Sequence, residues 1–210
     1  MSTVLYIKAS PRSERSYSLR VADRFLQAYG QKNPADTVDE LDIFTADLPP
    51  FDGPALRAKY RILHGEPVAP EEQTAWRAVE KIIARFTAAD KYILAVPMWN
   101  FGIPYRLKQY LDILIQPTYT FSFSPEQGYA GLIINKPALV VYARGGEYPP
   151  GSEREVYDFQ MTYLNAALAF IGFTRIHSLV VEPTLAGGAE TAKHKLQDAF
   201  KKAQQLAADF

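Results

Sequence analysis

The segment Ala9–Ser18 gathers hydroxyl and guanidinium groups at the predicted start of a helix. It reads A-S-P-R-S-E-R-S-Y-S. Free backbone N–H groups and the positive end of the helix dipole make such a position an anion site. Ser16 could equally serve as a plain N-cap. Neither G-x-x-x-x-G-K-[ST] nor G-x-G-x-x-G occurs, so a monophosphate is the predicted anion rather than a nucleoside triphosphate or a tightly held dinucleotide.

The segment Pro97–Pro104, P-M-W-N-F-G-I-P, places two aromatic residues in a connection between a strand and a helix. Loops that connect strands and helices run over the protein surface. The rings of Trp99 and Phe101 would therefore be exposed to water unless a flat group packs against them. Gly102 lets the backbone approach a ligand edge closely. The alternative is that both rings lie in a dimer interface or under a neighbouring loop.

The segment Arg144–Gly151, R-G-G-E-Y-P-P-G, contains paired glycines. Such a pair can present backbone N–H groups to a ligand that is rich in acceptors, although a plain turn would also explain it. Taken together, the three segments predict a phosphate site, an aromatic wall and a glycine-lined edge. A flat heterocycle with one phosphate tail, such as FMN, fits all three.

The elements that must position these segments alternate between short apolar runs and amphipathic stretches, as in βαβ units around a parallel sheet. The predicted main strands are Thr3–Ile7, Asp36–Phe44, Tyr92–Val96, Ala138–Ala143 and Ile176–Val181. The predicted helices are Ser18–Tyr29, a short one around Ala55–Leu63, Glu71–Thr87, Pro104–Ile115, Glu153–Phe170 and Glu190–Ala208. Segments 118–123 and 128–134 are predicted to form a small hairpin. The three candidate segments follow the first, third and fourth strands, where doubly wound sheets bind their ligands.

Composition narrows the function classes. The 210 residues include 23 basic and 23 acidic side chains, a balance that argues against a nucleic-acid partner. Without cysteine the chain cannot form disulfides, Cys-held zinc sites or iron–sulfur clusters. Its three histidines, His64, His177 and His194, show no ligand spacing, so no metal site is predicted. No apolar run reaches the about 20 residues of a membrane span and no signal peptide is evident, which predicts one cytoplasmic domain over residues 1–210.

The motifs S-P-R-x-x-x-S-x-S, P-M-W-N-F-G-I-P and A-R-G-G resemble those of the FMN-dependent NADH-azoreductases in the flavodoxin-like quinone oxidoreductase group. The resemblance spans almost the whole chain. It implies a flavodoxin-like α/β fold, a doubly wound sandwich with a five-stranded parallel sheet and helices on both faces.

The resemblance also implies which residues bind FMN. Those expected at the phosphate are Ser10, Ser16, Tyr17 and Ser18. Those expected along the isoalloxazine ring are Pro97, Met98, Trp99, Asn100, Phe101 and Gly102. Those expected at its pyrimidine side are Ala143, Arg144, Gly145 and Gly146. Ala143 stands where this family usually has serine, so any hydroxyl contribution to flavin binding is lost at that position.

The implied chemistry is a ping-pong reaction. NADH or NADPH reduces the flavin and leaves, and a quinone or aromatic azo compound then accepts two electrons, with no catalytic side chain required. Family members act as homodimers with the flavin sites at the interface. Substrate contacts are expected from Trp99, Phe121, Phe123 and Tyr148, although Phe121 and Phe123 could instead be ordinary dimer-core residues.

The competing interpretation is a flavodoxin-type carrier that binds flavin and has no small-molecule substrate of its own. The phosphate-binding loop of such carriers is rich in Thr and Gly. The carriers are also strongly acidic, and this charge steers their redox partners. The Ser/Arg loop and the zero net charge of this chain favour the enzyme.

Overall fold

Five parallel strands form the central sheet of the computed structural model, which describes residues 1–210. In chain order, the strands of the protein are β1 (Thr3–Lys8), β2 (Thr37–Asp42), β3 (Lys91–Pro97), β4 (Phe121–Ser124), β5 (Gly128–Gly131), β6 (Pro137–Ala143) and β7 (Arg175–Val181). The sheet order is β2-β1-β3-β6-β7, and β4 pairs only with β5 in a separate antiparallel hairpin. The order reverses between β1 and β3, which creates a crevice at the carboxyl ends of these two strands.

Six helices cover the two faces of the sheet. They are α1 (Tyr17–Lys32), α2 (Gly53–His64), α3 (Pro70–Ala88), α4 (Tyr105–Leu114), α5 (Phe159–Phe170) and α6 (Gly188–Leu206). Residues of α1 and α6 form the core on one face, and residues of α2, α3, α4 and α5 form the larger core on the other. Every residue of β6 is buried, as expected for a strand covered on both sides. The predicted doubly wound sandwich is therefore confirmed.

None of the helices combines the length and the apolar character that crossing a membrane requires.

The start of α5 differs from the sequence prediction. A helix was expected from Glu153, but residues Glu155–Tyr157 form a single 3₁₀ turn and the α-helix begins at Phe159. The reason is Asp158, whose carboxylate accepts the N–H of Met161 at 2.9 Å and thereby caps the helix. The same carboxylate forms a buried ion pair with Arg144, so the position of Asp158 is set by a tertiary contact.

The first helix between β2 and β3 is longer than the sequence predicted. The helix α2 has 12 residues and ends at Gly65, whose φ of 67° suits a left-handed C-cap. The nearly buried Glu72 at the start of α3 ties the two helices together, pairing with Arg57 at 3.0 Å and Arg61 at 3.3 Å. The N–H that Ala69 donates to Glu72, together with these arginines, lowers the pKa of this carboxyl.

The predicted hairpin is present with shorter strands than expected, and it docks on the end of α5. At Gly131 the backbone passes so close to Gly172 that a Cβ would lie 2.2 Å from the Gly172 nitrogen. The N–H of Ile133 donates to the carbonyl oxygen of Ile171 at 2.8 Å in the same region. Glycine at position 131 is therefore required by a close backbone approach.

We expect Gly131→Ala to destabilise the fold by about 1–3 kcal/mol, because the added methyl group meets rigid backbone. The matched control is Gly30→Ala in α1, where a Cβ meets nothing within 4 Å. That change should stabilise the protein by about 0.5–1 kcal/mol. Urea unfolding followed by circular dichroism gives both values, and similar effects of the two substitutions would contradict this account of the hairpin.

Candidate cofactor-binding site

The three segments singled out in the sequence meet at the carboxyl edge of the sheet, around a cavity of about 180 Å³. Its lining residues are Ser10, Arg12, Ser16, Tyr17, Pro97, Met98, Trp99, Ala143, Gly145, Thr184 and Leu185. Sequence reasoning missed Thr184 and Leu185. Both follow β7, whose carboxyl end lies at the same edge, so inspecting the segment after every strand would have found them.

The serine-rich segment combines a helix cap with unused donors. Ser10, Ser16 and Ser18 are almost completely buried. The hydroxyl of Ser16 accepts the N–H of Leu19 at a long 3.4 Å and lies 3.1 Å from the hydroxyl of Ser18. The N–H groups of Tyr17 and Ser18 have no acceptor in the chain. Ser16 is therefore a cap, and the helix end still offers backbone and hydroxyl donors to an anion.

The segment after β3 contains a tight, strained turn. Trp99 and Gly102 exchange two backbone hydrogen bonds, of 2.9 and 3.0 Å, across Asn100 and Phe101. These two residues have φ values of 46° and 69°, in the left-handed region that glycine tolerates best. Strain of this kind costs about 1–3 kcal/mol per residue. The turn leaves the N–H groups of Asn100 and Phe101 without acceptors in the chain, so they remain available to a ligand.

Trp99 lies between two cavities. It lines the 180 Å³ cavity and also a larger cleft of about 650 Å³. Its ring packs against Phe44 and Tyr105, with centroids 5.6 and 6.3 Å away. Asn100 also lines the larger cleft, whereas Phe101 is 46% exposed and packs on Tyr157. The two predicted aromatics therefore separate, and only Trp99 forms a cavity wall.

The side chain of Arg144 is buried and does not line the cavity. Its guanidinium lies 2.8 Å from Asp158 and 3.4 Å from Glu182, and its Nε donates to Gln160 at 3.0 Å. Gln160 in turn donates to the carbonyl oxygen of Val96 at 2.9 Å. This network joins the ends of β3, β6 and β7 to the start of α5. Any contact of Arg144 with a ligand in the cavity thus falls to its backbone.

The paired glycines and Tyr148 lie beside this network. The N–H groups of Gly145 and Gly146 have no acceptor in the chain. The hydroxyl of Tyr148 lies 3.7 Å from the position of a Cβ at Gly146, and the Tyr148 N–H donates to Glu182 at 3.2 Å. The structure therefore places Tyr148 against the glycine pair, outside the lining of the cavity.

The hairpin aromatics lie elsewhere. Phe121 packs on Phe170 with ring centroids 4.9 Å apart, and Phe123 packs on Tyr129 at the same distance. Phe123 and Tyr129 are both largely exposed. Neither Phe121 nor Phe123 lines either cavity, so within one chain they are not brought to the predicted site.

The chemistry of the cavity fits FMN. One end offers buried hydroxyls, unpaired N–H groups at a helix start and Arg12, which together suit a phosphate. Apolar groups of Pro97, Met98 and Trp99 line another part of the wall. The unpaired N–H group of the lining residue Gly145 suits a ring edge rich in acceptors, and the unpaired N–H group of Gly146 follows it along the chain.

Comparison with known proteins now places the chain in a family. A family model described as a flavodoxin-like fold matches residues 2–207. The chain belongs to this family. Among flavodoxin-like relatives, an FMN-dependent NADH:quinone oxidoreductase of Nitratidesulfovibrio vulgaris is 54% identical over 210 residues, which is 100% of both chains. FMN-dependent NADH:quinone oxidoreductase 3 of Pseudomonas fluorescens is 40% identical, covering 99% of this chain and 96% of its own.

Solved flavodoxin-like structures agree. The azoreductase of Bacillus anthracis superposes with a TM-score of 0.92 at 29% identity and covers 100% of both chains. An FMN-dependent NADH-azoreductase from the same species, solved in complex with FMN, gives a TM-score of 0.89 at 26% identity, covering 99% of this chain and 98% of its own. The resemblance inferred from the three motifs is thereby confirmed.

We expect Asp158→Ala to destabilise the protein by about 3–5 kcal/mol, because it leaves the buried guanidinium of Arg144 without its nearest carboxylate. The control is Asp112→Ala, which breaks the exposed pair between Lys108 and Asp112 on α4. An exposed pair of this spacing contributes only about 0.3–0.5 kcal/mol. Urea unfolding of the flavin-free protein measures both losses, and equal losses would refute the central role of the Arg144 network.

Proposed function

We propose that the protein is an FMN-dependent NAD(P)H oxidoreductase that reduces quinones and aromatic azo compounds. The observation that carries the proposal is the cavity at the carboxyl edge of the sheet. Hydrogen-bond donors for a phosphate lie near Ser10 and Ser16, and the aromatic residue Trp99 lines the same cavity. The names of the relatives support the same activity and favour NADH as the donor.

Bound FMN would supply the two-electron chemistry that links a reduced nicotinamide nucleotide to the acceptor. The chain itself binds and orients the cofactor. Ser10, Ser16, Tyr17 and Ser18 hold the phosphate through hydroxyl and N–H donors. Trp99 and Met98 pack against the ring, and the amides of Gly145 and Gly146 face its polar edge. No side chain of the protein acts as nucleophile or general base in this scheme, and the reaction order is ping-pong.

The active form in this proposal is a homodimer. Phe123, Tyr129 and Phe170 form an exposed aromatic cluster on the hairpin and the end of α5. Contiguous apolar patches of this kind mark interaction sites. We propose that a second copy of the chain covers the cluster, which brings Phe121 and Phe123 to the partner's substrate. Residues 1–210 act as a single FMN-binding domain in the cytoplasm, where reduced nicotinamide nucleotides are available.

A flavodoxin-type carrier is the alternative. It would need a protein partner to discharge its electrons, whereas the proposed enzyme turns over with small molecules alone. The balanced charge of 23 basic and 23 acidic residues offers no steering of a charged redox partner, and this favours the enzyme.

An absorbance spectrum of the purified protein, before and after addition of NADH without oxygen, tests the proposal. We expect flavin bands that bleach with NADH, and continued NADH consumption once a small quinone is added. Bleaching without turnover would support the carrier. A spectrum that shows no flavin, even after FMN is supplied, would refute both functions.

We expect Ser18→Ala to weaken FMN binding by about 1.5–3 kcal/mol, the usual effect of losing a hydrogen bond to a charged group. Ser18 is fully buried at the start of α1, and its hydroxyl lies near that of Ser16. Ser178→Ala, at an exposed position of β7, is the control and should leave the Kd unchanged. An unaltered Kd in Ser18→Ala would move the phosphate site elsewhere.

A further inference from the structure

Two residues that follow β7, Thr184 and Leu185, line the same cavity as the three segments identified from the sequence. We propose that they form a further wall of the flavin site. In this wall Thr184 is a positioning residue for the glycine edge, and Leu185 packs against the bound ring system. The inference rests on the proposed function, because it adds residues to the same cofactor site.

Hydrogen bonds tie this segment firmly to the residues that follow β6. The N–H and the hydroxyl of Thr184 both donate to the carbonyl oxygen of Arg144, at 2.8 and 2.9 Å. The N–H groups of Leu185 and Ala186 both donate to the carbonyl oxygen of Gly145, at 3.1 and 2.9 Å. The pairing of β6 with β7 therefore continues beyond the strands, as a clamp formed by residues Thr184–Ala186.

The clamp determines where two backbone donors point. A peptide group is planar, and in its trans form the C=O and N–H bonds point in opposite directions. Holding the carbonyl of Arg144 toward the clamp turns the N–H of Gly145 away from it. The bonds to the Gly145 carbonyl do the same for the N–H of Gly146. These are the two amides that have no acceptor in the chain, so the clamp pre-orients them for the polar edge of a ring.

Leu185 adds an apolar surface to this wall. It is 76% exposed, and its Cδ1 lies 3.1 Å from the position that a Cβ would occupy at Gly145. The side chain thus covers Gly145 closely, and the absence of a side chain at position 145 leaves room for it. A ring bound in the cavity would remove part of this leucine from water, which favours binding.

Titration of flavin-free protein with FMN and with riboflavin, followed by flavin fluorescence, tests the proposal. Thr184→Val removes the hydroxyl and keeps the shape, and we expect it to raise the Kd for both flavins by about five- to tenfold. Thr184→Ser should restore binding. The control is Thr191→Val, because Thr191 also donates its hydroxyl to a backbone carbonyl, that of Gly187 at 2.7 Å, but does not line the cavity.

Riboflavin separates this wall from the phosphate site, since it lacks the phosphate. Ser18→Ala should weaken FMN binding alone, whereas Thr184→Val and Leu185→Ala should weaken both flavins by similar factors. An effect of Thr184→Val on FMN only, or none beyond that of Thr191→Val, would overturn the inference.

Leu185→Ala provides a second test of the proposed wall if the Thr184 variant fails to fold, because truncating an exposed side chain leaves the core intact. We expect its Kd to rise about three- to tenfold for both flavins. If the wild type binds flavin and Leu185→Ala binds it equally well, the inference is overturned while the proposed function stands. Failure of the wild type to bind either flavin would overturn the proposed function with it.

Discussion

The sheet edge that carries the candidate cofactor site depends on one buried charge, the guanidinium of Arg144. A cation that is 2% exposed is tolerable only when nearby acceptors satisfy it. Here the carboxylates of Asp158 and Glu182 form ion pairs with the guanidinium, and the amide oxygen of Gln160 accepts a hydrogen bond from its Nε. Asp158 and Gln160 lie at the start of α5 and Glu182 at the end of β7, and Gln160 extends the contact to β3. Three strand ends are thereby held in one arrangement.

This arrangement allows the loops to take up conformations that would not persist alone. The left-handed backbone of Asn100 and Phe101 is held by the paired bonds between Trp99 and Gly102. The N–H that Met98 donates to the carbonyl oxygen of Ala143, at 2.8 Å, fixes the same segment against the neighbouring strand end. A strained backbone conformation persists where the surrounding contacts hold it in place. The result is a set of N–H groups without acceptors in the chain, arranged around the cavity.

Local pattern predicted most of this architecture, because apolar periodicity reports directly on burial in strands and helices. The rule on strand ends placed the serine, aromatic and glycine segments together correctly. Local sequence patterns could not predict contacts between residues that are far apart in the chain. The start of α5 depends on the pairing of Asp158 with Arg144, and the inward turn of the Arg144 side chain depends on the same pair. The left-handed backbone at Phe101 also has no local signature, since phenylalanine seldom adopts it.

The clamp after β7 belongs to an edge strand, which pairs only with β6. Edge strands open locally at a lower free energy than the centre of a sheet. A ligand that requires the closed clamp stabilises the closed edge by RT ln(1 + [L]/Kd). If the cofactor requires the closed clamp as proposed, loading of the cavity opposes fraying of the sheet, and amide hydrogen exchange along β7 would slow as cofactor occupancy rises.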